Sequence, residues 1–208
     1  MHTHKKDITY QGQPLAQASK AIIMIHGRGA NPDSILGLAN YLQLDDFALI
    51  APAATQRTWY PYSFMAPVVQ NEPSLSSALE LIDAVVQEAL AAGLQTENIY
   101  FLGFSQGACL ASEYVARNAQ RYGGLFVYSG GLIGAELNKE NYQGDFQEMP
   151  VIIGCSDRDA HIPLQRVKDS SAVFAEMGAQ VTERIYPNGA HTIYEDELEL
   201  TNEVLGES

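Results

Sequence analysis

Serine, histidine and aspartate side chains occur in this chain in an order and in local settings that suit nucleophilic acyl chemistry. Ser105 lies in Gly103-Phe104-Ser105-Gln106-Gly107, which follows the apolar run 99–102 and precedes a helical pattern over 108–117. A strand-to-helix turn of this kind holds its serine in a strained conformation, so the positions two before and two after it must be almost free of side chain. Gly103 and Gly107 meet that demand, and we predict that Ser105 is a nucleophile.

A serine hydroxyl is a poor nucleophile at neutral pH and needs a histidine base, which a carboxylate must orient. His191 fits best, because it lies in the turn-rich loop 187–191 after an apolar run and before a terminal helical pattern. His26 precedes the serine, and His2 and His4 lie in a terminus that we expect to be mobile. His161 is too close to the candidate acids to bridge them to the serine. We therefore predict His191 as the base.

The acid must lie between the serine and the histidine, in the loop that follows the predicted strand 151–154. Asp157 and Asp159 both stand there. A carboxylate at a strand end is often a turn former that bonds its own loop or a neighbouring cation. Spacing alone does not separate the two candidates.

Backbone amides near the serine could stabilise the oxyanion that forms during acyl transfer. Gln106 opens the predicted helix, whose first N–H groups and positive dipole end face the turn. A second donor is expected from the loop His26-Gly27-Arg28-Gly29 after the first strand, where the N–H of Arg28 is the candidate. The Arg28 guanidinium could contact substrate or cover the surface, and the Gln106 side chain could cap the helix.

The elements that must position these residues alternate in a pattern typical of a parallel sheet with crossover helices. Predicted strands cover 21–25, 47–51, 98–102, 125–128, 151–154 and 181–186, with a weak further signal at 8–10. Helical spacing of apolar residues appears near 35–42, 75–90 and 167–177. We therefore predict an α/β fold with a mostly parallel central sheet and helices on both faces.

Two long segments, 55–73 and 130–149, interrupt this alternation. Long loops beyond the carboxyl ends of parallel strands commonly build substrate pockets. The first segment is aromatic, and we predict that Trp59, Tyr60 and Phe64 bind substrate. The alternative is that these rings only cover the sheet edge.

Length and charge narrow the functional classes. With 208 residues, the chain is expected to form one domain over 1–208 without a large cap, although 1–20 are poorly assigned. A net charge of −13 argues against nucleic-acid or anionic-membrane partners. No stretch is long enough to span a membrane, and Cys109 and Cys155 show no metal-ligand spacing and are expected to be buried. We expect a cytoplasmic protein.

These motifs together resemble the phospholipase/carboxylesterase family of α/β-hydrolases, which includes the acyl-protein thioesterases. The resemblance rests on His26-Gly27-x-Gly29, Gly103-Phe104-Ser105-Gln106-Gly107, Asp159-x-x-Ile162-Pro163 and Gly189-x-His191. It implies an α/β-hydrolase fold, Asp159 as the catalytic acid, and the N–H groups of Arg28 and Gln106 as oxyanion donors, with no metal or organic cofactor. The chain departs from the family at Cys155-Ser156, often His-Gly, and at Arg28, often apolar.

The expected function is that of a serine carboxylesterase acting on small or medium acyl esters through an acyl-enzyme intermediate. One alternative is an acyl thioesterase or lysophospholipase, which would require a longer apolar channel. Another is a hydrolase-fold protein that binds a ligand without turnover. The aromatic surface near 55–73 could bind substrate or a second subunit, so a homodimer is also considered.

Overall fold

A computed structural model describes residues 2–206 and shows a seven-stranded sheet in the order β1-β3-β2-β4-β5-β6-β7. Strand β1 runs antiparallel to β3, and all other neighbouring strands are parallel. This confirms the mostly parallel sheet predicted from the sequence. The strands are β1 (Ile8–Gly12), β2 (Lys20–Ile25), β3 (Phe47–Pro52), β4 (Ile99–Phe104), β5 (Gly124–Tyr128), β6 (Pro150–Ser156) and β7 (Gln180–Tyr186).

Helices connect the parallel strands. They are α1 (Pro32–Leu36), α2 (Val68–Asn71), α3 (Ser74–Ala91), α4 (Gln106–Arg117), α5 (Leu164–Glu176) and α6 (Glu195–Gly206). The prediction of an α-helix near 35–42 was wrong for most of this range, because α1 ends at Leu36 and a 3₁₀ helix follows over Gly37–Tyr41. Glycine is a poor helix former, and tightening of a helix end into 3₁₀ geometry is common.

Helices pack on both faces of the sheet, as predicted. In β2, Ala21, Ile23 and Ile25 belong to the apolar core that contains α3, α4 and α5, whereas Ile22 and Met24 belong to the core beneath α1 and α6. All five side chains are fully buried. This alternation follows from the two-residue repeat of a β-strand, and it explains why a strand covered on both faces is apolar throughout.

The amino-terminal segment is more ordered than the sequence indicated. The weak strand signal at 8–10 becomes β1, which pairs with β3. Upstream, the His4 ring accepts a hydrogen bond from the Thr55 amide at 3.1 Å and bonds the Trp59 carbonyl at 2.9 Å. The His2 ring bonds the Thr58 carbonyl at 3.0 Å. The expectation that both histidines are mobile was wrong, because hydrogen bonds to partners more than fifty residues away hold both rings in place.

The segment 130–149 lies against buried charged side chains of α4 and α5. Glu113 accepts hydrogen bonds from the Ile133 amide at 2.9 Å and from the Tyr142 hydroxyl at 3.1 Å. Arg166 donates to the carbonyls of Leu132 and Gly134 at 2.8 and 2.7 Å. These bonds fix the segment to the body of the protein, and its residues do not line the cleft described below.

The carboxyl ends of the parallel strands meet at one edge of the sheet, where the loops that carry the candidate site residues begin. Gly27 follows β2, Ser105 follows β4, Asp159 follows β6 and His191 follows β7. Within residues 2–206 there is no large cap over this edge, and none of the helices is both long and apolar enough to cross a bilayer.

Candidate active site

Ser105 occupies a strained turn between β4 and α4. Its φ of 55° and ψ of −120° lie in a region that residues with a Cβ rarely adopt. A Cβ at Gly103 would lie 2.5 Å from the Gly107 carbonyl oxygen, and one at Gly107 would overlap the carbonyl oxygen of Ile25. Both glycines are therefore required by close backbone approach, as the sequence motif indicated.

The three predicted catalytic side chains lie in a continuous hydrogen-bonded row. The Ser105 Oγ lies 2.8 Å from His191 Nε2, and His191 Nδ1 lies 2.7 Å from Asp159 Oδ2. With a proton on Nδ1, the imidazole donates to the carboxylate and leaves Nε2 free to accept from the serine hydroxyl. The Asp159 side chain is fully buried, whereas 19% of the His191 side chain is exposed.

The Asp159 carboxyl is surrounded by donors. Burial alone would raise its pKa, but hydrogen bonds from His191 and from the backbone amides of His161 and Ile162 outweigh burial and hold the pKa below its usual range. The two amides lie 2.8 and 3.0 Å from Oδ1. Asp159 is thus kept ionised, as a carboxylate facing an imidazole must be to stabilise a positive charge there.

The loop that carries His191, which we call the histidine loop, is anchored to the loop that carries Asp157 and Asp159, which we call the acid loop. Asp157 Oδ1 accepts a hydrogen bond from the Asn188 amide at 2.7 Å, and the Ser156 hydroxyl donates to the Gly189 carbonyl at 2.8 Å. Asn188 has a φ of 54°, a conformation that asparagine tolerates better than most residues. Asp157 therefore faces the backbone of the histidine loop, and only Asp159 contacts the imidazole.

Aromatic rings bracket the His191 imidazole. The Phe104 ring centroid lies 5.0 Å from it, and the His161 ring packs edge-on at 4.9 Å. The sequence position of His161 excludes it as the base and predicts no other role for it. Its place at the site follows from the short acid loop, which brings position 161 beside the histidine loop.

Arg28 and Gln106, the residues of the two candidate oxyanion donors, line the same cleft as Ser105. The Arg28 amide belongs to the loop after β2, and the Gln106 amide is the first of α4. Within residues 2–206, neither N–H group makes a hydrogen bond, so both are available to a ligand. Gln106 does not cap its helix: its Oε1 accepts from the Trp59 amide at 2.9 Å and its Nε2 donates to the Tyr60 carbonyl at 2.8 Å.

A cleft of about 550 Å³ opens over Ser105. Of the three residues predicted to bind substrate, Tyr60 and Phe64 line the cleft and Trp59 does not. Trp59 is fully buried, and its indole N–H donates to the His26 carbonyl at 2.8 Å, so this prediction was wrong. The cleft is lined by Gly27, Arg28, Ala30, Tyr60, Pro61, Tyr62, Ser63, Phe64, Phe104, Ser105, Gln106, Cys109, His161, Ile162 and His191.

Both cysteines lie close to the site. Cys109 is one helical turn after Ser105 and contributes to the cleft wall, a position that its spacing of four residues from the serine could have indicated. Cys155 Sγ lies 3.6 Å from Asp159 Oδ2. Burial raises the pKa of each thiol to about 12, so both stay neutral and pack as small apolar residues. Among residues 2–206, no cluster of histidine, cysteine and acidic side chains could hold a metal ion.

Comparison with known proteins agrees with this architecture. The sequence model of the phospholipase/carboxylesterase family matches residues 11–207. Acyl-protein thioesterase 1 of Kluyveromyces lactis is 29% identical over 181 residues, which cover 76% of this chain and 78% of the relative. The protein of the same name from Saccharomyces cerevisiae is 26% identical and covers 88% of this chain and 89% of its own length.

The crystal structure of a phospholipase/carboxylesterase from Dyadobacter fermentans superposes on this chain with a TM-score of 0.97. The two sequences are 50% identical, and the match covers 99% of each chain. The chain therefore belongs to the phospholipase/carboxylesterase family of α/β-hydrolases and is a serine hydrolase acting on carboxylic ester bonds.

Proposed function

We propose that the protein is a serine carboxylesterase that hydrolyses esters with small or medium acyl groups. The unbroken row of hydrogen bonds from Asp159 through His191 to Ser105 carries this proposal. The row ends at the floor of an open cleft, where an ester can reach the serine. The arrangement supports nucleophilic catalysis, because each side chain is already within reach of the proton it must move or stabilise.

In the first half of the proposed cycle, Ser105 Oγ attacks the ester carbonyl carbon and transfers its proton to His191 Nε2. The carbonyl oxygen becomes an oxyanion, which the N–H groups of Arg28 and Gln106 bind. Asp159 stabilises the imidazolium across the 2.7 Å hydrogen bond. Collapse of the intermediate breaks the bond to the alcohol oxygen, His191 donates its proton to that oxygen, and the acyl group stays on Ser105.

The second half repeats these steps with water. His191 Nε2 takes a proton from water as the water oxygen attacks the acyl carbon, and the same amides bind the second oxyanion. His191 then returns the proton to Ser105 Oγ, and the carboxylic acid leaves. Ser105, His191, Asp159 and two backbone amides supply every step.

The dimensions of the cleft support a small or medium acyl group. Its volume of about 550 Å³ falls in the lower half of the range usual for small-molecule sites, which is roughly 300–1,000 Å³. Tyr60, Phe64 and Ile162 give it an apolar wall. Such a wall attracts an acyl chain of a few carbons by burying its methylenes, each worth about 0.8 kcal/mol.

Acyl thioesters are the second candidate substrates, because the curated relatives include acyl-protein thioesterases. The same steps would release a thiol instead of an alcohol. Binding of a ligand without turnover is the rival outside enzymology, and an intact hydrogen-bonded row of three catalytic side chains argues against it. The homodimer and the cytoplasmic location expected from the sequence stay predictions.

Hydrolysis of p-nitrophenyl esters from acetate to palmitate tests the proposal, with phenyl thioacetate and palmitoyl-coenzyme A assayed in parallel. We expect an optimum at short or medium acyl length that is lost in Ser105→Ala. Ser76→Ala is the matched control, since Ser76 is an exposed serine on α3. Preference for palmitoyl thioester would favour the second candidate. No Ser105-dependent turnover of any substrate would contradict both.

A further inference from the structure

The Arg28 side chain bonds one short segment of the aromatic loop. Its Nη1 donates to Thr58 Oγ1 at 2.8 Å and to the Pro61 carbonyl at 3.1 Å. Its Nη2 donates to the carbonyls of Tyr60 and Tyr62 at 2.9 and 2.8 Å. All four acceptors lie within residues 58–62, which we call the clamp segment.

The geometry suits arginine in particular. Within residues 2–206 no carboxylate pairs with Arg28, and its charge faces backbone carbonyl dipoles instead. The planar guanidinium directs two N–H groups from each terminal nitrogen, so it can satisfy four acceptors at once. Because all four terminal N–H groups donate to the clamp segment, none of them is left for a substrate.

Gln106 holds the same segment from the other side. Its Oε1 accepts from the Trp59 amide and its Nε2 donates to the Tyr60 carbonyl, which thus receives donors from both Gln106 and Arg28. The preceding residues Gln56 and Arg57 both have positive φ, near 57° and 58°, a strained conformation that the surrounding contacts must maintain. The two residues whose amides are the candidate oxyanion donors therefore also anchor the cleft wall.

We propose that Arg28 is a positioning residue that fixes the clamp segment against the loop 26–29 after β2. It thereby sets the position of the apolar cleft wall at Tyr60 and the positions of the two oxyanion donors. This inference rests on the proposed esterase function. Acyl chains that reach Tyr60 depend on the wall, whereas an acetyl group depends mainly on the oxyanion donors. Loss of the clamp should therefore reduce turnover of longer esters more than turnover of acetate.

The activity test compares Arg28→Met and Arg28→Lys with the wild type on p-nitrophenyl acetate and hexanoate. We expect Arg28→Met to lower kcat/KM for hexanoate by roughly 10- to 100-fold, as misplacement of a binding wall does, with a smaller loss for acetate. Arg28→Lys keeps the charge but lacks the planar guanidinium, so its kcat/KM for hexanoate should lie between the values of the wild type and Arg28→Met. A general loss of folded protein would lower both rates equally and leave their ratio unchanged.

The clamp can also be tested without turnover, because Trp59 is the only tryptophan and lies in this segment. It is fully buried in the wild type. In the Ser105→Ala background, Arg28→Met should shift tryptophan emission to longer wavelength and increase quenching by acrylamide, with an intermediate effect for Arg28→Lys. Lys168→Met is the matched control: its exposed side chain on α5 makes no hydrogen bond or ion pair within residues 2–206, and its removal should change neither readout.

An unchanged hexanoate-to-acetate ratio together with unchanged Trp59 emission in Arg28→Met would overturn the proposal. If Arg28→Met does not fold, wild-type values for Arg28→Lys in both readouts would overturn it equally. Absence of Ser105-dependent hydrolysis in the wild type would contradict the esterase function instead, and the fluorescence result would still decide whether Arg28 holds the segment.

Discussion

Asp157 and Asn188 connect the acid loop to the histidine loop through a 2.7 Å hydrogen bond from the backbone N–H of Asn188 to the Asp157 carboxylate. Two residues further on, Asp159 bonds the His191 imidazole itself at 2.7 Å. The two carboxylates thus serve one loop in different ways. Asp157 holds its backbone, and Asp159 orients the ring that we propose as the base.

This difference gives a first prediction. Asp159→Asn should lower kcat by about 10⁴-fold, because an amide neither fixes the required tautomer nor stabilises the imidazolium. Asp157→Asn should cost less than about 10-fold, since the amide oxygen still accepts from Asn188. Steady-state kinetics on a p-nitrophenyl ester of short acyl length checks both variants. Equal losses at the two positions would contradict the assignment of the acid to Asp159.

Glu197 gives a prediction about stability. Residues 195–199 carry four acidic side chains, and one of them, Glu197, is fully buried against Gly154. Its Oε2 accepts from the Tyr194 amide at 2.7 Å, while its Oε1 has no partner within residues 2–206. Burial raises the pKa of this carboxyl to about 8, and the charge of Asp196 adds to the effect.

A raised pKa in the folded state means that folding favours protonated Glu197. The contribution of Glu197 to the free energy of unfolding is therefore fully present below about pH 4.5, the ordinary pKa of a glutamate. It is lost as the pH rises towards the folded-state pKa of about 8. Glu197→Gln should remove this loss and stabilise the protein at pH 8 by a few kcal/mol, with little change at pH 5. Urea unfolding at both pH values measures this, with exposed Glu199→Gln as the control. A stabilisation that is equal at pH 5 and pH 8 would refute the explanation.

Glu113 gives a second prediction about stability. It is buried at the base of the segment 130–149, where it bonds Arg117 at 2.7 Å as well as the Ile133 amide and the Tyr142 hydroxyl. Glu113→Ala leaves three donors without an acceptor and should lower the free energy of unfolding by about 3–5 kcal/mol. Thermal unfolding of this variant and of Glu80→Ala, an exposed glutamate on α3, makes the comparison. Similar melting temperatures for the two would show that the buried bonds contribute little.

Features that depend on local chemistry could be predicted from the sequence. The turn at Ser105 requires glycines at fixed offsets, and the strands of a sheet covered on both faces are continuous apolar runs. The loop of His191 is turn-rich and follows such a run. The residue types of these segments largely determine their structure, so the positions of Ser105 and His191 at the same sheet edge followed from the predicted parallel strands.

Features that depend on contacts distant in sequence could not be predicted in this way. Spacing did not separate Asp157 from Asp159, because the distinction depends on how two loops more than thirty residues apart face each other. The aromatic loop did not reveal that Trp59 points inward, since that orientation depends on the Gln106 side chain and on the His26 carbonyl. The burial of Glu197 depends on Gly154, which leaves space beneath α6.

The most direct test of the central claim is covalent labelling with a fluorophosphonate, followed by peptide mass spectrometry. We expect one equivalent of label on Ser105, no label on Ser105→Ala, and much slower labelling of His191→Ala, because the serine would lose its base. Labelling at another residue, or an equal rate in wild type and His191→Ala, would contradict the claim that Ser105 is a nucleophile activated by His191.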